Sequence, residues 1–329
     1  MRKYLVRFFI IAFALFLIPT LALSYGDEGH RLINQAAVAK LPADMPDFMK
    51  AGSAQIVYEG PEPDRWRSDL EKPLEQAQAP DHFIDMEYVD WMKQFPSDRY
   101  KFIQAIYEYR AAHPEAGIPQ PEKVGFQPYI TIEIFDRLKV AFREYRHAKA
   151  KNLPTAQAEA NALFYAGWLG HYVGDGANPM HTSVQYNGWV GPNPNGYSTS
   201  HDIHYNFESG FVKSNLTEVQ IDGMVGAPTH LENPFEDYIA YLRTSRSLIE
   251  KLYTIDKECG FEGRGSADAV RFEKERLAAG AQMLVNLWYT AWVDSAKDPE
   301  PYHSTREPKQ RECPPAPKAA APATMEKHL

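Results

Sequence analysis

Apolar residues recur along most of this chain at intervals of three and four, the spacing of helices with one buried face. The pattern predicts helices over Glu28–Lys40, Ser97–Ala112, Thr131–Lys149, Thr155–Val173, His204–Val212, Pro234–Tyr253 and Ala267–Ser295. Within Thr155–Val173 the apolar positions (Ala162, Leu163, Phe164, Tyr165, Trp168, Leu169) run nearly all the way round, which predicts a buried central helix. β-branched alternating runs are scarce, so the expected fold is mainly α. Long loops are expected at Leu41–Pro80, Gly117–Tyr129 and Tyr186–Ser200. The last is rich in Gly, Pro and Asn, and a loop of that length inside a compact domain is commonly functional.

The two ends do not fit the helical pattern. Met1-Arg2-Lys3 and Arg7 precede an almost wholly apolar run from Phe8 to Leu23, and Ala22-Leu23-Ser24 has the small-x-small form of a cleavage site. A membrane anchor is the alternative, but the run is short for a span and Pro19 interrupts its end. The reading is therefore a signal peptide at 1–24, with no transmembrane anchor after cleavage and a secreted or periplasmic product. From about Lys297 the chain is rich in Pro, Ala and charge, so 298–329 reads as a solvated tail. Residues 25–297 are enough for one large domain.

Composition narrows the chemistry. Loss of Arg2, Lys3 and Arg7 with the signal takes the formal net charge from −8 to −11. So acidic a domain does not hold a polyanion by its overall field; a phosphate-bearing ligand needs local cations, from Arg and Lys or from metal ions. The two cysteines, Cys259 and Cys313, allow one pairing in an oxidising compartment but form no Cys-x-x-Cys motif. Metal binding would rest on His and carboxylates.

Those residues are concentrated in a few places. His171 and Asp175 stand four apart, on one face of a helix, and Gly176-Ala177-Asn178-Pro179 is expected to break that helix and return His181 to the same place. His204 and Glu208 repeat the four-residue spacing. His30 and His82 lie in similar contexts, while His201 is read as a loop neighbour of the second pair. Imidazole and carboxylate donors without thiolate suit zinc, with manganese or iron as alternatives. There are more candidate ligands than one closed structural ion needs. Asp81 and Asp85, flanking His82, are candidates to orient imidazoles, and Asn178 to brace the turn.

Taken in order, these motifs resemble the zinc-dependent phospholipase C and single-strand-specific zinc nuclease superfamily. Tyr25-Gly-Asp-Glu-Gly-His30 is similar to that family's mature N-terminus, where the first residue, usually Trp, ligates zinc through its amine and carbonyl. Asp64 in Pro-Asp-Arg-Trp-Arg and His82 in Asp-His-Phe-Ile-Asp look like the next ligands, followed by His171, Asp175, His181, His204 and Glu208. The resemblance implies a single multi-helix domain with long loops around a trinuclear cleft. Of three Zn2+, one would be held by Asp64, His82, His171 and Asp175, and a second by His181, His204 and Glu208. The third would be held by Tyr25, His30 and Asp175, whose carboxylate bridges it to the first. Signal cleavage would then free a ligating amine.

The activity implied is phosphodiester hydrolysis by metal-activated water, with Asp64 as ligand and candidate base and Arg67 as phosphate contact. Single-stranded DNA or RNA is the preferred substrate, from the compact N-terminus, Arg67 and the step from His181 to His204; Trp189, Tyr186, Tyr197 or Phe83 would stack a base. A phospholipase C acting on phospholipid is the second reading, from Glu208, Asn-Pro-Met-His181 and Tyr-Asn-Phe-Glu208. A non-catalytic extracytoplasmic zinc-binding protein is the third. No stable protein partner is implied.

Overall fold

A computed structural model describes residues 26–217 and 219–297. The expectations for the signal peptide, the Tyr25 ligand, the tail and Cys313 lie outside the described residues. Within them the chain is mainly helical and contains no strand. No described helix is long and apolar enough to cross a membrane.

Eight helices carry the architecture: α1 (Gly26–Ala39), α2 (Ser53–Glu59), α3 (Arg99–Ala112), α4 (Gln127–Ala150), α5 (Ala156–Ala177), α6 (Pro234–Arg246), α7 (Ile249–Lys257) and α8 (Ala267–Asp294). Asp98 and Ser266 cap α3 and α8 by accepting from the Lys101 and Ala269 amides, so these starts are fixed locally. As its all-round apolar sequence predicts, α5 is central, with α1, α2, α4, α6 and α8 packed against it.

Glycine is a poor helix former, costing about 1 kcal/mol against alanine, yet α5 contains Gly167, Gly170, Gly174 and Gly176. Close approach explains the two that face α1. A Cβ on Gly170 would stand 1.7 Å from Asn34 Oδ1, and one on Gly174 would stand 2.9 Å from His30 Nδ1. Asn34 uses the proximity to donate to the carbonyls of Ile56 (2.8 Å) and Gly167 (3.1 Å), tying α1, α2 and α5 together.

Two apolar cores result. The larger holds Ile33, Ile56, Phe142, Leu169, Tyr238, Leu242, Leu284 and Trp288, and the smaller holds Met180, Tyr197, Phe207, Leu252, Tyr253, Phe261 and Phe272. This division corrects the expectation of one helix over Pro234–Tyr253. The apolar face of α6 belongs to the larger core and that of α7 to the smaller, and the chain turns at Ser247–Leu248 to serve both.

Three other expectations change. The stretch Leu41–Pro80 is a run of short helices, Asp47–Ala51, α2, Glu62–Arg65 and Lys72–Gln78; Gly52, Gly60, Pro61 and Pro63 break the pattern before a periodic signal can build. The Gly117–Tyr129 loop is cut short by a turn of helix at Pro121–Val124 and by α4, which starts at Gln127 with Pro128 in its first turn. Over His204–Val212 only Ile203–Tyr205 and the residues from Val212 are α-helical. Asn206–Phe211 is a π-helical turn, a form that recurs at functional sites. The Tyr186–Ser200 loop does lack helix and is well pinned: Trp189 N donates to Ser198 O, Asn193 bonds Tyr197 through both its amide groups, and Lys257 Nζ reaches Asn195 O.

Candidate metal centre

His171 and Asp175 lie in the last turns of α5, where every residue from Leu169 to Ala177 is buried, and both are fully buried. The helix continues through Ala177, one residue past Gly176, where the break was expected to begin. Asn178 then turns extended before Pro179, and its Oδ1 accepts from the Met180 amide. The resulting 3-10 turn, Pro179–Thr182, swings His181 back beside Asp175. Helix α1 brings His30, the short helix Glu62–Arg65 brings Asp64, and the turn Ala79–His82 brings His82. His204 and Glu208 come from the α-to-π segment.

Three groups of side chains lie close enough to share a cation: His30, Asp64 and His171; His82, His171 and Asp175; and His181, His204 and Glu208. Every described ligand candidate is therefore in one cluster, leaving Tyr25 as the one outside the described residues. The third group is the set expected for one ion. The other two share His171, and His30 stands between the carboxylates, 3.5 Å from Asp175 Oδ1 and 4.0 Å from Asp64 Oδ2. The oxygens of Asp175 face opposite ways: Oδ2 lies 3.0 Å from His82 and 3.3 Å from His171, while Oδ1 faces His30 and, at 3.9 Å, His181.

Hydrogen bonds behind the rings decide which nitrogen faces inward. His171 Nδ1 donates to Gly60 O (2.9 Å), His181 Nδ1 to His82 O (2.8 Å) and His204 Nδ1 to Tyr186 O (2.8 Å). A carbonyl only accepts, so in the neutral rings Nδ1 carries the hydrogen and Nε2 presents a bare lone pair. His181 Nε2 and His204 Nε2 then meet at 3.2 Å, with Glu208 Oε2 at 3.4 and 3.0 Å. Converging lone pairs and carboxylates repel unless a proton or cation lies among them. Asp64 makes the same point, since both its oxygens are buried and neither accepts a hydrogen bond. These donors fit a cluster of divalent cations, and all-imidazole-and-carboxylate ligation suits zinc.

The electrostatics agree. Burial, with help from the charge of His171, holds His30 well below its ordinary pKa, and burial takes His82 down to about 4 despite Asp175, so both rings are neutral donors. Burial opposes a charge on His181, but Asp175 and Glu208 outweigh it and hold the ring at about 9. Glu208 is lowered to about 2 because its histidines outweigh burial, while burial raises Asp64 to about 7. A cation entering the cluster thus displaces protons.

The neighbours sort clearly. Arg67 Nη1 lies 3.7 Å from Asp64 Oδ1 with its side chain 39% exposed, at the boundary between cluster and solvent. Its ion pair is with a cluster acid rather than a surface one. Asn178 Nδ2 donates to Glu208 Oε2 (3.1 Å), so it braces both the turn and a candidate ligand. Neither Asp81 nor Asp85 hydrogen-bonds an imidazole: Arg99 engages Asp81 at 3.2 Å, and Asp85 lies buried, raised to about 7 by burial and by Glu87. The residue that does hold His82 is Gln78, whose Oε1 lies 2.5 Å from His82 Nε2. Its position one helical turn before His82 is the sequence signal for it. The Gly60 and Tyr186 carbonyls have no such signal.

Among the aromatic candidates, Tyr197 is core, Phe83 half-buried, and Tyr186 53% exposed. Trp189 packs on Tyr197 and Tyr253 and lines a cavity of about 680 Å³ with Glu87, Asp90, Lys93, Arg243 and Arg246. Glu87, on the wall of this cavity, also accepts from Ser183 Oγ (2.7 Å) and Val184 N (3.1 Å), which follow His181 in the chain. Compared with protein-family models, curated proteins and solved structures, the chain matches none.

Proposed function

We propose that this protein is a secreted or periplasmic zinc-dependent phosphodiesterase that cleaves single-stranded nucleic acid. The observation that carries the reading is the gathering of five imidazoles and three carboxylates into one buried cluster, with ring lone pairs turned inward. Asp64, His82, His171 and Asp175 would hold one zinc, and His181, His204 and Glu208 a second. His30 and Asp175 would hold a third with the freed amine and carbonyl of Tyr25. Supporting that last assignment, Gly26 lies against Ser209, the residue after Glu208, so α1 begins beside the cluster.

Zinc bound there would supply an ionised water near neutral pH and would neutralise charge on the phosphorane-like transition state. Asp64 Oδ1, between Arg67 and His171, orients the attacking water and accepts its hydrogen bond. Arg67 receives phosphate oxygens at the mouth through its planar fork. The cavity walled by Glu87, the acceptor of Ser183 Oγ, carries the Trp189 ring. Its cations Lys93, Arg243 and Arg246 are balanced by Glu87, Asp90 and Glu250, so base stacking on Trp189 rather than charge would hold the continuing strand there. In so acidic a protein the cations that receive a polyanion would be the metal ions and Arg67.

A second reading, phospholipase C, has one observation of its own. Leu70, 90% exposed, and Leu74, 44% exposed, follow Arg67 closely in the chain and would meet a lipid surface. The test is incubation of the mature protein with single-stranded DNA, RNA and phosphatidylcholine vesicles, with and without chelator. Chelator-sensitive release of nucleotides is expected. Release of diacylglycerol with no nucleotide would replace the first reading by the second, and no product from any substrate would leave a non-catalytic zinc protein.

A further inference from the structure

Of the four rings whose outward nitrogen has a named acceptor, three present Nε2 to the cluster and are held by main-chain carbonyls. His82 is reversed: Nδ1 faces Asp175 Oδ2 and His171 Nε2, both at 3.0 Å, and Nε2 is held by the side-chain amide of Gln78. The backbone around His82 is already fixed from several directions. Phe126 N donates to Pro80 O (2.7 Å), Gln127 N to Phe83 O (3.2 Å) and Ile84 N to His181 O (2.9 Å), while Arg99 grips Asp81. What these contacts leave free is rotation of the ring about its own axis. A half-turn would replace Nδ1 by a carbon at the position facing Asp175. Gln78 opposes that half-turn, because its oxygen can accept from Nε2–H but not usefully from a ring carbon. The rest of its amide is not engaged: Gln78 is buried, and its Nε2 makes no hydrogen bond. Only the acceptor is used.

We propose that Gln78 is the positioning residue that sets the tautomer and rotation of His82, so that Nδ1 is the nitrogen offered to the metal. The proposal rests on the metal-centre reading above, and it predicts a defect confined to the ion that His82 touches. Outer partners of ligating histidines are worth about 10–100-fold in metal affinity.

The experiment compares mature wild type, Gln78→Met and Gln78→Glu. Zinc affinities are measured by competition with a chromophoric chelator, the visible spectrum is recorded after Co2+ substitution, and the His82 tautomer is read by nitrogen-15 NMR in chelated protein. Gln78→Met is expected to lose about 10–100-fold in affinity at one ion only, with an altered cobalt spectrum and a mixed tautomer. Gln78→Glu, which keeps an acceptor oxygen, is expected to restore all three. Wild-type affinities and a single Nε2–H tautomer in Gln78→Met would overturn the proposal, as would a Gln78→Glu variant as impaired as Gln78→Met. Circular dichroism of both variants separates a folding loss from a ring effect. Should wild type bind no metal, the metal-centre reading fails, and the tautomer measurement still decides what Gln78 does to His82.

Discussion

The two halves of the candidate metal centre are built on different foundations. His30, Asp64, His82, His171 and Asp175 come from helices and a clamped turn, and each is at most 4% exposed. His181, His204 and Glu208 come from a 3-10 turn and an α-to-π segment, and the His204 side chain is 20% exposed. Zinc sites that only hold their ion are closed, whereas catalytic ones keep a position open to an incoming ligand. The contrast places the first half inside and gives the second, through His204, an edge toward the solvent. Asp175 belongs to both, since its oxygens face both.

That role makes Asp175→Ala the most damaging substitution. Zinc content measured by plasma mass spectrometry should fall by more than one ion per chain, with affinity at each affected position down by roughly a thousandfold or more; loss of a single ion would show that Asp175 serves one half alone. His204→Ala should remove only the outer ion, by roughly a hundredfold in affinity, and leave the inner positions at their wild-type strength. Gly174→Ala tests the opposite half. The new methyl, 2.9 Å from His30 Nδ1 and 3.1 Å from Ile33, forces a shift costing about 1–3 kcal/mol. It should lower the melting temperature of chelated protein and weaken the inner ions without affecting the outer one.

The smallest effect expected is on pH. Below about 9 the His181 ring carries a proton that an entering ion must displace. Affinity of the outer group should therefore rise with pH and level off above 9, falling about tenfold between pH 8 and pH 7 for that one proton. His82, lowered to about 4, makes no such contribution in this range. Calorimetry in two buffers of different ionisation enthalpy would count the protons released at the outer site; none at pH 7 would contradict the sign.

Some of this centre could be read locally. The spacings His171–Asp175 and His204–Glu208 each put two donors on one face, and Asn178-Pro179 marks the turn that returns His181. Helix α5 was legible as the central element because its apolar positions run all the way round. The breaks in the pattern were less so. Nothing near Ser247 shows that α6 and α7 serve different cores, and Asp81 looked like a partner for His82 until Arg99, on another helix, claimed it. The short helices between Leu41 and Pro80 escaped because each is too brief to establish a period.

Local chemistry, then, provided the donors: eight candidate ligand side chains, none of them a thiolate, with His30, His171 and Asp175 on helices long enough to show a period. Periodicity reaches only along one element, and it reports which face a residue occupies. It does not report which nitrogen of a ring is bare. That depends on an acceptor elsewhere in the chain, such as the Gly60 carbonyl 111 residues from His171 or the His82 carbonyl 99 residues from His181. Only folding brings those oxygens behind the rings, because α1, α2 and the His82 turn must pack on the glycine face and end of α5 before any lone pair has a direction. The tertiary structure turned a list of candidate ligands into a cluster with an inside and an open side.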